Sequence, residues 1–269
     1  MIGTGLRIVS LFSGSSGNAT LVASSRTGVL VDAGVAASRI AASLDALGID
    51  IGKLRGALIT HEHIDHIRAV GVLARRYDLS LYANASTWAA IDGLGCAGKI
   101  PQRNRIVIET GRDFFIGDLC ISSFPISHDS AEPVGYVLWG EGKQAAIATD
   151  MGHMTDAVLS RLRDSDAVLL ESNHDVDMLK NGRYPAALKR RILGRRGHLS
   201  NAAAASSLPG LLACGVRRVA LCHISRDNNT PEAAWQAASD ALEAAGARIG
   251  RDIDVSLTWH DRIGADWTL

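Results

Sequence analysis

The sequence predicts an α/β protein in which two β-sheets pack face to face and helices cover both outer surfaces, a four-layer αββα sandwich. Short apolar runs recur in both halves of the chain, each bounded by glycines or polar turn residues. Segments with the apolar spacing of amphipathic helices lie between and after these runs. Of the 269 residues, 47% are hydrophobic and 21% are charged, enough apolar material for a large core. We expect a single domain over residues 1–269.

The first part of the chain alternates strand and helix patterns. Its apolar runs are separated by glycine-rich turns, and the first helix pattern ends at Gly48, a plausible C-cap. The predicted strands are Leu6–Phe12, Ala19–Ala23, Val29–Asp32, Ala57–Thr60 and Ser80–Ala83. The predicted helices are Val35–Leu47, Ile64–Tyr77 and Ser86–Ile91.

The second part begins with a run of strands and continues with strands and helices mixed. It contains no linker-like segment and no internal repeat. The predicted strands are Arg105–Ile108, Leu119–Ile126, Val134–Trp139, Gln144–Thr149, Ala167–Leu170, Arg218–Cys222 and Asp254–Trp259. The predicted helices are Met154–Leu162, Ala186–Leu193, Asn201–Cys214 and Pro231–Ala245.

Composition excludes several classes of protein. Apolar runs stay below the roughly 20 residues that a membrane-spanning helix needs, so we expect no membrane segment. The start of the chain does not have the pattern of a signal peptide. The four cysteines form no CxxC pair, which argues against a zinc ribbon or a disulfide framework. A cytoplasmic protein with reduced thiols fits this composition best.

The net charge is zero, but basic residues concentrate in one segment. Ten lysines and arginines and no acidic residue lie between Met178 and Arg226. This segment is either a surface for an anionic substrate or a solvated face whose partners are carboxylates elsewhere. The ten residues are Lys180, Arg183, Lys189, Arg190, Arg191, Arg195, Arg196, Arg217, Arg218 and Arg226.

A six-residue motif indicates a metal site. His61-Glu62-His63-Ile64-Asp65-His66 follows directly on the apolar run Gly56–Thr60. Imidazoles and carboxylates are the ligands that Zn²⁺ and similar cations favour, and crowding them at a strand end without a metal would be costly. Three further donors, His128, Asp150 and His223, each follow an apolar strand in the same way.

This arrangement resembles the metallo-β-lactamase-fold hydrolases over essentially the whole chain. The resemblance implies two divalent metal ions, with Zn²⁺ expected and Mn²⁺ or Fe²⁺ as alternatives, and a hydroxide that bridges them. One metal would be held by His61, His63 and His128, and the other by Asp65, His66 and His223. Asp150 would bridge both. Asp32, at the end of another strand, would support a ligand or would simply be a turn residue.

Further motifs resemble the YycJ (WalJ) branch of this superfamily. They are Ser13–Asn18, Glu171–Asp175, Gly197–Asn201 and Leu221–Asn229. That branch implies a single-domain nuclease, a 5′-to-3′ DNA exonuclease associated with DNA repair. Only 72 residues separate Asp150 from His223, too few for the β-CASP insertion of RNase J-like enzymes.

The catalytic and substrate-binding residues follow from these motifs. Asp65, His174 and His198 are the predicted catalytic residues, the two histidines placing a phosphate or protonating the leaving oxygen. His153 and His260 are predicted not to be ligands. The basic segment flanks His174, His198 and His223 in sequence, which favours a phosphate-reading surface and a DNA substrate. The predicted substrate-binding residues are Ser13, Asn18, Asn173, Ser200 and Asn201.

Three alternatives remain open at this point. The same ligands serve a phosphodiesterase acting on small cyclic or nucleotide phosphates. They also serve a glyoxalase II-like thioesterase, although the helical region that would bind glutathione is not identifiable. A metal-stabilised interaction protein is disfavoured, because a structural site is usually closed by four ligands. The oligomeric state is not predicted.

Overall fold

The computed structural model describes residues 4–269 and contains fourteen strands and nine α-helices within that range. The strands are β1 (Arg7–Phe12), β2 (Ala19–Ala23), β3 (Gly28–Val31), β4 (Gly56–Leu58), β5 (Leu81–Asn84), β6 (Arg105–Ile108), β7 (Phe114–Ile116), β8 (Leu119–Pro125), β9 (Val134–Gly140), β10 (Lys143–Ala148), β11 (Ala167–Glu171), β12 (Arg218–Cys222), β13 (Asp254–Leu257) and β14 (Asp266–Thr268). The helices are α1 (Ala37–Ala46), α2 (Ile64–Ile67), α3 (Val70–Tyr77), α4 (Ala85–Leu94), α5 (Asp156–Leu162), α6 (Val176–Asn181), α7 (Ala186–Ile192), α8 (Asn201–Ala213) and α9 (Pro231–Ala244).

The strands form two seven-stranded mixed sheets. The first has the order β14-β1-β2-β3-β4-β5-β6 and the second the order β13-β12-β11-β10-β9-β8-β7. Strands β3 to β6 are parallel to one another, and so are β10 to β13, whereas the remaining neighbours are antiparallel. Parallel neighbours bring their carboxyl ends to one edge of a sheet, where ligands usually bind.

Three hydrophobic layers hold the sandwich together. The middle layer joins the two sheets, with Val31 and Leu58 of the first sheet and Leu138 and Leu169 of the second in one buried cluster. A second cluster packs α1 and α3 onto the first sheet, and a third packs α5, α8 and α9 onto the second. The predicted αββα architecture is confirmed.

The predicted helix Ile64–Tyr77 is wrong in one respect, because the structure divides it into α2 and α3. The loop after β3 replaces the helical hydrogen bonds at the break: Ala33 N–H donates to His66 O (2.8 Å), and Ala69 N–H donates to Ala33 O (2.8 Å). The His66 carbonyl and the Ala69 amide, which would otherwise belong to one continuous helix, therefore bond to the loop after β3. The break leaves Asp65 and His66 on a single helical turn at the edge of the sheet.

Three short elements were not predicted: β7, β14 and α6. Each has six or fewer residues, too few to show a period in the sequence. The strand β14 pairs with β1 although Arg7 and Asp266 lie 259 positions apart in the sequence, and Arg7 donates two hydrogen bonds to the Asp266 carboxylate (2.8 and 2.7 Å). Within residues 4–269, none of the helices combines the length and apolar character required to cross a lipid bilayer.

Candidate metal centre

The candidate site lies where strands of both sheets end. Asp32 follows β3, His61 follows β4 by two residues, and Asp150 follows β10 by one. Glu171 is the last residue of β11, and His223 comes directly after β12. The two sheets therefore contribute to one site at the same rim of the sandwich.

Three imidazoles form the first donor group. His61 Nε2 lies 3.0 Å from His63 Nδ1, and His63 Nδ1 lies 3.2 Å from His128 Nε2. Tetrahedral zinc with bonds of 2.0–2.1 Å would hold its ligand atoms about 3.3 Å apart. The neighbouring rings stand nearly perpendicular, at 78° and 75°. These nitrogens are therefore arranged as ligands of a single ion.

A second donor group lies beside the first, and Asp150 contacts both. Asp65 Oδ2 is 3.7 Å from both His66 Nε2 and His223 Nε2. Asp150 Oδ2 is 3.2 Å from His66 Nε2, and Asp150 Oδ1 is 3.5 Å from His223 Nε2 and 4.0 Å from His128 Nε2. The structure thus brings together all seven residues that the sequence predicted as metal ligands.

Two buried atoms of this cluster indicate that it holds cations. Asp150 Oδ2 and His223 Nε2 make no hydrogen bond of suitable alignment among residues 4–269, although both side chains are buried and Asp150 Oδ2 lies 3.2 Å from His66 Nε2. Unpaired polar atoms inside a protein are rare because each costs free energy. Imidazole nitrogens and carboxylate oxygens suit Zn²⁺, Mn²⁺ and Fe²⁺. The donors therefore fit a pair of divalent metal ions.

The charges around the two imidazoles of the second donor group, His66 and His223, are predominantly negative. Burial opposes protonation of His66, but the carboxylates of Asp32 and Asp150 raise its pKa well above the usual value. Burial also opposes protonation of His223, whose pKa nearby carboxylates raise to about 10. In the absence of a cation, protons on these two rings would balance the carboxylates. A divalent ion would supply the same positive charge and would bind the neutral rings.

Three of the ligand histidines are oriented by a hydrogen bond to the ring nitrogen that does not face the metal site. His66 Nδ1 lies 2.7 Å from Asp32 Oδ2, and Asp32 also accepts from the Thr60 amide (2.9 Å). His61 Nδ1 is 3.0 Å from Thr60 Oγ1, and His128 Nδ1 is 3.0 Å from the Gly197 carbonyl oxygen. Such contacts fix the tautomer and the plane of a ligand ring. Of the two interpretations of Asp32, the structure supports the one in which it positions a ligand.

Three of the strand-end residues adopt an unusual backbone conformation. Asp32, Asp150 and His223 have φ values of 62°, 58° and 56°, in the left-handed region. Non-glycine residues seldom occupy this region, although aspartate and histidine do so more readily than most, and such residues recur at functional sites. The turn directs each side chain away from the strand and into the rim.

Glu171 is a functional residue that sequence reasoning missed. It is fully buried, and its Oε1 lies 2.7 Å from His198 Nδ1. Its Oε2 accepts from the amides of Met151 (2.7 Å) and Leu199 (3.1 Å). Burial opposes ionisation, but the neighbouring His198 and His223 lower the pKa of Glu171 to about 2. The sequence contained one indication of this residue, because Glu171 directly follows the apolar run Ala167–Leu170.

The two predicted catalytic histidines have different surroundings. His198 is partly exposed, lies 3.5 Å from Asp150 Oδ1 and stacks on the His223 ring at 15°. His174 is buried, its Nδ1 has no partner among the described residues, and burial lowers its pKa to about 4. A histidine with that pKa is neutral at pH 7, which favours His198 as the proton donor.

The five predicted substrate-binding residues all have partners within the chain. Ser13 Oγ accepts from the His223 amide (2.8 Å), and Asn173 Nδ2 donates to the His223 carbonyl (2.9 Å). Asn18 Nδ2 lies 3.0 Å from His66 Nε2. Ser200 caps α8, and Asn201 is buried against Ser172 and Asn229. All five support the site's architecture, and their contact with substrate stays a prediction.

The basic segment divides between the two ends of the sandwich. Near the metal rim, Arg196 Nε donates to the His128 carbonyl (2.9 Å), and Arg191 pairs with Asp129. The Arg195 carbonyl lies 3.0 Å from His153 Nδ1. Arg217 and Arg218 instead lie at the start of β12, away from His223 at its other end. Only part of the predicted cationic surface is therefore adjacent to the metal site.

The comparisons with known proteins agree with this geometry. Residues 27–224 match the family model described as a beta-lactamase superfamily domain. The chain is 38% identical over 251 residues to the exodeoxyribonuclease YycJ of Bacillus anthracis, covering 93% of this chain and 94% of that protein. It is 37% identical over 257 residues to the exodeoxyribonuclease WalJ of Streptococcus pneumoniae, covering 96% of each.

A solved structure shows the same fold at low sequence identity. The metallo-beta-lactamase fold protein YhfI of Bacillus subtilis superposes with a TM-score of 0.72 at 13% identity, covering 96% of this chain and 98% of that one. The chain belongs to the metallo-β-lactamase-fold hydrolase superfamily and, within it, to the group of the YycJ and WalJ proteins.

Proposed function

We propose that this chain is a metal-dependent DNA exonuclease that hydrolyses phosphodiester bonds from the 5′ end. The observation that carries the proposal is the position of Asp150, which contacts both donor groups at the rim. The relatives of this chain that are named exodeoxyribonucleases match it over nearly their whole length, and they support DNA as the substrate.

We assign His61, His63 and His128 to one metal ion and Asp65, His66 and His223 to the other, with Asp150 shared between them. Zn²⁺ is the expected metal at both positions, and Mn²⁺ and Fe²⁺ are the alternatives. Two such ions, when bound, lower the pKa of coordinated water towards about 7 and polarise a phosphate oxygen. Binding of the DNA and protonation of the leaving oxygen would depend on the protein's own residues.

Glu171 and His198 together would supply a proton to the leaving oxygen. Glu171 Oε1 lies 2.7 Å from His198 Nδ1, so an ionised Glu171 keeps the proton on that nitrogen. The other ring nitrogen, Nε2, is then left to face the substrate. A protonated His198 can donate a proton from Nε2 as the bond to the leaving oxygen breaks. Glu171 also stabilises the charged ring that this role needs.

The arginines beside the rim would bind the DNA backbone. Arg196 donates to the carbonyl of the ligand His128, Arg191 pairs with the adjacent Asp129, and Arg195 contacts His153 (3.0 Å). Aromatic residues make up only 5% of the chain, so base stacking would contribute little and sequence preference would be weak. Binding through phosphates would weaken steeply as salt increases.

The test uses purified protein and DNA labelled at the 5′ or the 3′ end. Single- and double-stranded substrates are incubated with Zn²⁺, Mn²⁺, Fe²⁺ or a chelator. We expect metal-dependent release of short 5′-terminal products, lost in Asp150→Asn and retained in Asp156→Asn, which changes an exposed residue of α5. Turnover restricted to cyclic nucleotides or to S-lactoylglutathione, without cleavage of DNA, would show the function to be wrong.

A further inference from the structure

The open side of the sandwich, away from the metal rim, exposes apolar residues. Within residues 4–269, β6 is the last strand of its sheet and pairs only with β5, and β7 is the last strand of the other sheet. Val107 on β6 is 64% exposed, Ile106 is 37% exposed, and Phe115 on β7 is 70% exposed. Proteins usually protect an edge strand with charged residues or proline, because its free backbone groups pair readily with another strand. Residues 105–109, here called the β6 edge, have such protection only at their two ends.

Hydrogen bonds in the neighbouring strands show which β6 groups are free. Ala57 N–H donates to Ser80 O and Ile59 N–H donates to Tyr82 O, so the backbone of Ser80 and Tyr82 faces β4. Because direction alternates along a strand, Leu81 and Ala83 face β6. Tyr82 is aligned with Ile106, so Ile106 bonds to both Leu81 and Ala83. Arg105, Val107 and Glu109 therefore face outward. Arg105 N–H already donates to Gln102 O, and Glu109 O accepts from Arg112 N–H (3.2 Å). Among residues 4–269, the groups left free are both of Val107, the Arg105 carbonyl and the Glu109 amide.

This alternation restricts how a second copy of the β6 edge can pair with the first. In a two-fold antiparallel pair, outward-facing groups must meet outward-facing groups, so the axis passes through Arg105, Val107 or Glu109. An axis at Arg105 or Glu109 would place like charges opposite each other, which is destabilising. An axis at Val107 places Arg105 opposite Glu109 of the second copy and Ile106 opposite Ile108 of the second copy. Only this register matches charge with charge and apolar with apolar.

The side chains at both ends of the β6 edge suit this register. Arg105 is held beside the strand by two hydrogen bonds to Asp92 (2.9 and 2.8 Å) and lies 4.4 Å from the centre of the Trp88 ring. The Glu109 side chain is exposed, and Arg112 is 3.3 Å away. Arg105 of one copy would thus meet the exposed Glu109 carboxylate of the other at each end of the paired strands.

We propose that two copies of this chain form a two-fold symmetric dimer by antiparallel pairing of their β6 edges. The first sheet, with seven strands in each copy, then continues through the interface as one sheet. Since the paired strands run in opposite directions, the two metal centres open at opposite ends of the dimer. The paired edge is short, so the interface is small and the dissociation constant falls at about 1–100 µM.

The first experiment measures mass by sedimentation equilibrium at protein concentrations from well below to well above that range. The wild-type protein shifts from monomer to dimer with increasing concentration, and Val107→Lys stays monomeric. Val72→Lys is the matched control, because Val72 is a 38% exposed valine on α3. It dimerises as the wild type does. A wild-type protein that is monomeric throughout, or a dimer that survives Val107→Lys, overturns the proposal.

The second experiment tests the register by crosslinking. The exposed Cys96 is first replaced by serine. In that background, Val107→Cys places two thiols opposite each other, with Cα atoms about 5.5 Å apart in a hydrogen-bonded pair, within reach of a disulfide. Oxidation gives a covalent dimer from Val107→Cys but not from Val72→Cys. Crosslinking that is equal in both variants contradicts this register.

Discussion

At the scale of single residues, Glu171 links the metal site to the candidate proton donor. One oxygen contacts His198 Nδ1 (2.7 Å) and also lies 3.3 Å from Nδ1 of the ligand His223, and the other accepts two backbone amides. The carboxylate therefore positions both the metal ligand His223 and the candidate proton donor His198. Its four partners explain why an ionised group is tolerated in a fully buried position.

Replacing Glu171 by Gln should lower nuclease turnover by about 10- to 100-fold, the usual effect of removing a group that orients a ligand. The amide keeps the size of the side chain but removes the charge that holds the proton on His198 Nδ1. Steady-state kinetics and metal content by mass spectrometry are the measurements. Glu243→Gln, an exposed change on α9, is the control and should leave both unchanged. Full activity in Glu171→Gln would contradict this role.

The pH dependence of stability should reveal the buried His174. Its pKa falls from 6.5 to about 4 because burial disfavours the charged ring. Between those values the unfolded chain binds the proton and the folded chain does not, so stability falls as the pH decreases from 6.5 to 4. The slope from one group is at most about 1.4 kcal/mol per pH unit.

Urea unfolding of the wild type and His174→Phe at several pH values between 4 and 7 tests this. The variant should have a flatter dependence in that range, whatever its stability at pH 7, because it has no ring nitrogen to protonate. Identical slopes in the two proteins would show that His174 titrates normally.

At the scale of elements, the loop Gly197–Ser200 and helix α8 connect the second sheet to the site. The Gly197 carbonyl positions His128, the Leu199 amide donates to Glu171, and Ser200 caps α8. Asn173 N–H donates to Leu199 O (2.8 Å), and Asn201 N–H donates to His174 O (2.8 Å), so this loop is also fastened to the segment after β11. A loop with so many partners holds His198 in place without a regular element of its own.

Replacing Ser200 by Ala should lower the free energy of unfolding by about 1 kcal/mol, the usual cost of losing an N-cap side chain. The hydroxyl accepts from the Ala203 amide, which the variant leaves without that partner. Ser206→Ala, an exposed position on the same helix, is the control and should change stability by less than about 0.5 kcal/mol. Urea titration at pH 7 measures both, and equal effects would rule out a capping role.

At the scale of the whole molecule, the two sheets are joined by the residues of the metal site in addition to the middle core. His61, His63, Asp65 and His66 come from the first sheet, whereas His128, Asp150 and His223 come from the second. Metal ions bound among these residues would connect both sheets in the folded state only. Their binding free energy therefore adds to folding stability.

Metal removal should consequently lower the melting temperature. With metal at 100 times its dissociation constant, the folded state gains about 2.7 kcal/mol, which corresponds to about 5–10 °C for a chain of this size. Differential scanning fluorimetry of chelator-treated protein, before and after addition of Zn²⁺, measures the shift. Asp150→Asn should show a smaller shift, and an unchanged melting temperature on adding metal would argue against a site between the sheets.

The single domain over residues 1–269 stays a prediction that unfolding can test. Both sheets contribute to the middle core, so separating them would expose the apolar side chains of each. We expect tryptophan fluorescence and circular dichroism to report one coincident transition in urea. Two separated transitions would indicate two domains.

Local sequence was sufficient for the longer elements and for most of the candidate ligands. Apolar runs predicted the longer strands, and the placement of His128, Asp150 and His223 after such runs predicted where these residues lie. Glu171 also ends an apolar run, but its hydrogen-bond partner was not predictable in this way, and neither was the break between α2 and α3. Each depends on groups that are distant in sequence, namely His198 for Glu171 and the Ala33 backbone for the break.

The sandwich, the donor types and the strand ends at which the donors lie could all be predicted from the amino-acid sequence, because they follow from apolar periodicity and from the chemistry of imidazole and carboxylate. Tertiary structure alone decided which donors meet, since ligand distances depend on how the two sheets pack. It also decided which histidine has a carboxylate partner, which arginines lie at the metal rim and which strand edge remains exposed. These features arise between residues that are far apart in the chain, where a local pattern contains no information.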